Sequence, residues 1–321
     1  MGMYRKYMEP EYGKVAPETN VAPPQVMDMK NTEKWRIKTN YESMASMNKD
    51  YQKCACYEDV MSVKSVRDVC KYGDVEIPLK VFIPDGSGDF KTLIYYHGGG
   101  FAFNNIEVYE YIHRYLAFYG KMVIIAPDYR LAPEYKFPKG LTDAYETLLW
   151  TKENIKKYQG QADHINVAGD SAGGNFATVV SMMARDKKGP KIEKEVLIYP
   201  LTTNFETEET ESEKNYSTGH FLDYNCMNDP MYFYFEHEED KKSPYTSPLL
   251  AEDLSDMPIT CFVSAECDPL LDQGLMYAGR LEDSGVSVEY HIMKGMVHGF
   301  INGTYGKTFE AMKYIIDFIQ S

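Results

Sequence analysis

The sequence predicts an α/β fold: a mostly parallel, eight-stranded twisted sheet with helices on both faces and a cap. Three observations lead there. From about residue 60, short apolar runs alternate with stretches of helical period, and such alternation requires parallel strands joined by crossover helices. The runs are apolar almost continuously rather than at every second residue, as expected of strands covered on both faces. One long stretch, 202–247, breaks the alternation and is too long for a single crossover.

Val63–Lys71 and Val75–Ile83 come first and alternate enough to predict an antiparallel pair at a sheet edge. Leu93-Ile-Tyr-Tyr96, Met122-Val-Ile-Ile-Ala126, Ile165-Asn-Val-Ala168 and Val196-Leu-Ile-Tyr199 follow as buried strands. Ile259-Thr-Cys-Phe-Val263 and Val286–Ile292 complete the eight. Helical periods fall near 107–119, 141–158, 174–186, 270–283 and 307–319. The last core strand is expected at a sheet edge, where it could pair with its symmetry mate to make a homodimer.

Two segments lie outside this pattern. Residues 1–58 hold Pro10, Pro17, Pro23 and Pro24 and show no strand pattern, although 39–53 could form an amphipathic helix. They read as a cover over the domain 59–321. Residues 202–247 carry the run Glu206-Thr-Glu-Glu-Thr-Glu-Ser-Glu213 and the aromatic cluster Met231-Tyr-Phe-Tyr-Phe235. An excursion acidic outside and aromatic inside suggests a lid over the carboxyl edge of the sheet. The glutamate run by itself is a solvated face.

Composition narrows the function. The 321 residues are 44% apolar and 26% charged, which excludes collagen-like, disordered and coiled-coil chains. The net charge of −14 repels nucleic acid and anionic lipid and disfavours a polyanionic substrate. No apolar run approaches the roughly 18–20 residues of a membrane span. The first ten residues lack the apolar stretch of a secretion signal, so a cytoplasmic location is expected, without a membrane anchor. Cys54, Cys56, Cys70, Cys226, Cys261 and Cys267 contain no Cys-x-x-Cys spacing and read as free thiols, and no metal site is expected.

The chemistry concentrates in three places. In Ile165-Asn-Val-Ala-Gly-Asp-Ser-Ala-Gly-Gly174 a strand ends, Ser171 follows within Gly169-x-Ser-x-Gly173, and a helix begins. A serine at the apex of so tight a turn holds strained backbone angles, and its neighbours two residues away must lack side chains. The turn exposes the hydroxyl at the sheet's carboxyl edge and aims a helix N-terminus at developing negative charge. His97-Gly-Gly-Gly100 follows the strand ending at Tyr96, and its uncovered N–H groups can converge on an oxyanion. A phosphate loop would need a lysine or Gly-x-Gly-x-x-Gly, and neither is present. His97 precedes this loop and is expected to anchor it by hydrogen bonding.

A serine nucleophile needs a base, and the base an orienting acid. His298 lies in Gly295-Met-Val-His-Gly-Phe300, after the last core strand and before the last helix. His113 and His291 fall inside a helix and a strand, His164 precedes the strand leading to Ser171, and His220 and His237 sit in the insertion. Asp268 opens Asp-Pro-Leu-Leu-Asp272 just beyond a strand and so points from the same edge, whereas Asp272 reads as a helix-start charge. The order Ser171, Asp268, His298 is that of the α/β-hydrolases.

These motifs, with Asp128-Tyr-Arg-Leu-Ala-Pro-Glu134 and Phe137-Pro138 between them, resemble the hormone-sensitive-lipase-like family of α/β-hydrolase esterases and occur in its order over residues 97–300. The resemblance implies an α/β-hydrolase fold and a triad of Ser171, Asp268 and His298. It also implies oxyanion donors at Gly99, Gly100 and Ala172, and a cap made of the N-terminal segment and the insertion. Asp128 and Arg130 are expected to hold a loop together rather than react. One departure is Phe101, where many members carry tryptophan. The expected activity is hydrolysis of a small, neutral, short-acyl ester through an acyl-enzyme, without metal or organic cofactor. Amide cleavage would use the same machinery. A receptor role is marked in the family by loss of the catalytic histidine, and His298 is present.

Overall fold

The computed structural model describes residues 32–204, 209–218, 220, 222, 233–304 and 306–321. Eight strands form one sheet: β1 (Lys64–Tyr72), β2 (Val75–Ile83), β3 (Phe90–Tyr96), β4 (Met122–Pro127), β5 (Gly160–Asp170), β6 (Ile192–Ile198), β7 (Ile259–Cys267) and β8 (Val288–Val297). Their order is β1-β2-β4-β3-β5-β6-β7-β8. β2 runs antiparallel to both β1 and β4, and every other neighbouring pair is parallel. The expected antiparallel edge pair and the expected edge position of the last strand are both present.

The strands alternate their side chains between two cores, as the period of two requires. Ile94, Ile125, Val167 and Leu197 join one core with Leu148, Phe176, Val180 and Leu281 from the helices Lys139–Asn154, Ala172–Asp186 and Leu271–Asp283. Leu93, Ile124, Ala168 and Val196 join the other with Leu116, Met312 and Ile315 from Glu110–Gly120 and Thr308–Gln320. Both faces being covered explains why the central strands read as unbroken apolar runs.

The topology brings the functional segments together. From β3 the chain crosses to β4 on one side, and later returns to β5 on the other. The carboxyl ends of β3 and β5 therefore flank the switch point, where open α/β sheets bind ligands. Tyr96 lies opposite Gly169 in the β3–β5 register, so the glycine loop and the Ser171 turn leave adjacent strand ends. Cys267 lies opposite Val297 between β7 and β8, so Asp268 and His298 emerge side by side.

Several boundaries differ from the sequence expectation, among them the start of β6 at Ile192 instead of Val196 and the end of β7 at Cys267 instead of Val263. β5 starts at Gly160 instead of Ile165, because its first half is polar and carries no apolar run. β8 extends to Val297, past the expected end at Ile292. It keeps its ladder across a register shift near Ala265 although Gly295 takes a positive φ of 75°. The N-terminal helix spans Thr32–Tyr51 rather than 39–53 and is polar around its circumference. Residues 1–31 and much of the acidic and aromatic insertion, including Glu206–Glu208 and Cys226, lie outside the described residues. No described helix is long and apolar enough to cross a membrane.

Candidate active site

Ser171 stands between β5 and the helix Ala172–Asp186 with φ 55° and ψ −121°, a positive φ that costs an ordinary residue roughly 1–3 kcal/mol. The turn tolerates nothing larger than glycine on either side. A Cβ at Gly169 would lie 2.1 Å from the Gly173 carbonyl oxygen, and one at Gly173 would lie 2.1 Å from that of Tyr96. The turn is held by hydrogen bonds: the Ser171 N–H donates to Ile198 O at 2.9 Å, and the Asn175 N–H donates to Ser171 O at 3.1 Å.

The hydroxyl meets the residues that follow β7 and β8. His298 Nε2 is 2.9 Å from Ser171 Oγ, and His298 Nδ1 is 2.7 Å from Asp268 Oδ2. Asp268 is fully buried, and its other oxygen accepts the Leu270 N–H at 2.9 Å. With the carboxylate on Nδ1, that nitrogen carries the proton and Nε2 faces the hydroxyl as an acceptor. Asp272 stands apart from this chain. Its Oδ2 accepts the Ser212 N–H at 2.9 Å, tying the helix Glu211–Tyr216 of the insertion to the helix Leu271–Asp283.

The glycine loop lies against the turn. Gly99 and Gly100 have φ of 126° and 58°, and a Cβ at Gly99 would come within 2.5 Å of Phe103 O. Among the described residues, the N–H groups of Gly99, Gly100 and Ala172 find no acceptor. His97 is buried at the root of the loop. Its Nδ1–H donates to Gly98 O at 2.9 Å, its ring stacks on Tyr129, and the Tyr129 hydroxyl donates to His97 O. Burial pushes its pKa down to about 4, so the ring is neutral near pH 7.

Asp170, which the sequence reading passed over, joins these parts. Its fully buried carboxylate accepts from the Gly98 N–H at 2.9 Å, the Tyr109 hydroxyl at 2.8 Å and the Tyr95 hydroxyl at 3.2 Å. The Tyr199 hydroxyl approaches to 3.5 Å, and its ring packs 4.6 Å from that of His298. Burial raises the Asp170 pKa to about 6, against the opposing pull of the Tyr109 hydroxyl and the Gly98 N–H. The available signal was an acid at the end of an apolar strand, inside the motif itself.

Arg130 binds Asp143 of the helix Lys139–Asn154 through Nε at 2.9 Å and Nη2 at 2.7 Å, and also donates to the Tyr72 hydroxyl. Burial raises Asp128 to about 6, and its backbone N–H donates to Pro78 O. Phe101 stacks on Tyr234 of the insertion, with centroids 4.0 Å apart, and packs against Phe176. His113 is buried in the second core, and His291 stacks on Tyr314 at the sheet edge; neither approaches Ser171 through any hydrogen bond.

A strained serine at a strand–helix turn, an imidazole on its hydroxyl and a carboxylate on the imidazole, set on this sheet order, define an α/β-hydrolase. Comparison with known proteins agrees. Residues 93–302 match the family described as the α/β hydrolase fold. An arylesterase of Saccharolobus solfataricus is 36% identical over 241 residues, covering 74% of this chain and 78% of the relative. A carboxylesterase of Mycobacterium tuberculosis is 34% identical over 234 residues, covering 72% of this chain and 73% of the relative. Among solved structures, an esterase of Pyrobaculum calidifontis superposes with a TM-score of 0.83 at 32% identity, over 92% of this chain and 95% of that one. The chain belongs to the α/β-hydrolase fold family. Within it, the chain stands with the hormone-sensitive-lipase-like esterases.

Proposed function

We propose that this protein is a carboxylesterase that cleaves short-acyl esters of uncharged alcohols through an acyl-enzyme on Ser171. The observation that carries this reading is the unbroken chain from Ser171 Oγ to His298 Nε2 at 2.9 Å and from His298 Nδ1 to Asp268 at 2.7 Å. Ser171 attacks the ester carbonyl while His298 takes the hydroxyl proton. The oxyanion that forms is met by the N–H groups of Gly99, Gly100 and Ala172. His298 then passes the proton to the departing alkoxide, and water repeats the sequence on the acyl-enzyme. Asp268 fixes the imidazole tautomer and stabilises its cation. His97 stays neutral and holds the loop.

Residues 1–58 and 202–247 form the cap over the catalytic domain 59–321, with the Phe101–Tyr234 stack as part of the acyl wall. The net charge of −14 favours neutral substrates over anionic ones. The test is Ser171→Ala with an activated short-acyl ester. Activity should vanish with the fold intact, leaving a residual of roughly 10³–10⁴ over the reaction in water, and wild type should show a stoichiometric acyl burst. A folded Ser171→Ala protein that keeps a tenth of wild-type turnover would overturn the reading.

A further inference from the structure

We propose that the N-terminal helix Thr32–Tyr51 is part of the oxyanion machinery, with Arg36 and Asn40 as positioning residues for the Gly99 and Gly100 N–H groups. This rests on the esterase reading. The peptide group is planar and here trans, so that its C=O and N–H point to opposite sides. Whatever grips the Gly98 carbonyl therefore aims the Gly99 N–H. Whatever grips the Gly99 carbonyl likewise aims the Gly100 N–H.

Both carbonyls are gripped. Gly98 O accepts from Asn104 Nδ2 at 3.0 Å as well as from His97. Gly99 O accepts the N–H groups of Ala102 and Phe103 at 3.0 and 2.9 Å. The gripping residues are themselves held from the helix. Asn40, which is buried, accepts the Asn104 N–H on its Oδ1 at 3.2 Å. Arg36 donates from Nε to Ala102 O and from Nη2 to Ala132 O, both at 2.7 Å, and pairs with Glu134 at 2.8 Å. The Ala132 N–H returns to Phe101 O at 2.9 Å, and Trp35 packs on Phe103 with ring centroids 5.0 Å apart.

The helix does not simply lie flush on this loop. An open cleft of about 570 Å³, lined by Arg36, Asn40, Asn104, Tyr129 and Glu134 among others, runs along the contact. Beside the Trp35–Phe103 contact the link is made by individual polar side chains, and each can be cut while that contact stays. Two short relays result, Asn40 to Asn104 to the Gly98–Gly99 peptide and Arg36 to Ala102 to the Gly99–Gly100 peptide. Neither Arg36 nor Asn40 is bonded to Ser171, His298 or Asp268, so their influence on the reaction passes through the direction of the two donors.

The experiment compares full-length Arg36→Ala, Asn40→Leu and Asn40→Asp with wild type on one activated ester. Affinity for a trifluoromethyl ketone, which adds to the serine and places an anion among the donors, is measured beside that for the product alcohol. Arg36→Ala and Asn40→Leu should each lower kcat about tenfold, less than the 10²–10³ that follows loss of a whole donor. KM should stay within twofold, ketone affinity should fall by the same factor as kcat, and alcohol affinity should not move. Asn40→Asp keeps the accepting oxygen and should stay within twofold of wild type throughout. A raised KM with kcat and ketone affinity unchanged would overturn the proposal and leave the helix as a pocket wall only. Should Arg36→Ala fail to fold, the Asn40 pair decides alone. A wild-type protein without an acyl burst would overturn the esterase reading instead. The relay is then judged by amide hydrogen exchange at Ala102 and Phe103, whose N–H groups are bonded to Gly99 O and which Asn40→Leu should accelerate about tenfold; unchanged exchange would overturn it.

Discussion

Glu195 offers a test of the fold's electrostatics that is separable from catalysis. It sits on β6 with its side chain fully buried. Oε1 accepts from Thr260 Oγ1 at 3.0 Å and from Thr178 Oγ1 at 3.3 Å, while Oε2 has no partner among the described residues. Burial raises its pKa from 4.5 to about 7, despite the hydroxyls of Ser181, Thr260 and Thr178, which favour the charge. Below pH 4.5 the group is neutral in the folded and unfolded chains alike and has no effect. Between there and about pH 7 the unfolded chain releases the proton and the folded chain keeps it, so stability falls as pH rises. A shift of about 2.5 units at 1.36 kcal/mol each amounts to roughly 3 kcal/mol, fully expressed above pH 7. Glu195→Gln keeps the shape and the accepting Oε1 but cannot ionise. In urea unfolding followed by circular dichroism, the variant should gain roughly 3 kcal/mol on wild type between pH 4.5 and pH 8, whatever its constant offset. Esterase activity at pH 7 should be little altered, since Glu195 contacts none of the catalytic groups. A stability difference that does not change with pH would refute the reasoning.

Two further outcomes concern the site. Asp268→Asn should lose up to about 10⁴-fold in kcat through the wrong imidazole tautomer, whereas Asp272→Asn, whose partner is the Ser212 N–H, should stay within tenfold; steady-state kinetics on one ester separates them, and the reverse ranking would refute the choice of acid. Asp170→Asn leaves one accepting oxygen for the Gly98 N–H and the Tyr95 and Tyr109 hydroxyls. Hydrogen bonds to a charged group contribute about 1.5–3 kcal/mol each, so kcat should drop about ten- to a hundredfold, and wild-type kcat in a folded Asp170→Asn protein would refute the role given to this carboxylate.

The sequence determined what depends on a few consecutive residues. β3, β4, β6 and β7 are legible through their apolar runs, because a strand buried on both faces favours apolar residues, as in Met122–Pro127; the Glu193-Lys-Glu195 start of β6 carries no such run. The Ser171 turn is legible because a Cβ at Gly169 or Gly173 would strike backbone 2.1 Å away, so sterics write glycine into the chain. Asp268 and His298 could be chosen because each follows a strand end, and strand ends share an edge. What a polar side chain meets across the fold leaves no such local mark. Asp170 is 72 residues from Gly98 and 61 from Tyr109, and its role exists only once β3 and β5 lie side by side. The helix Thr32–Tyr51 was misplaced for a related reason. Beside the ring contacts of Trp35 and Tyr51 it attaches through Arg36 and Asn40, 66 and 64 residues from the loop atoms they bond, and anchors so scattered leave no apolar stripe to read. Periodicity records how much surface an element buries, and only the tertiary structure decides which donor meets which acceptor.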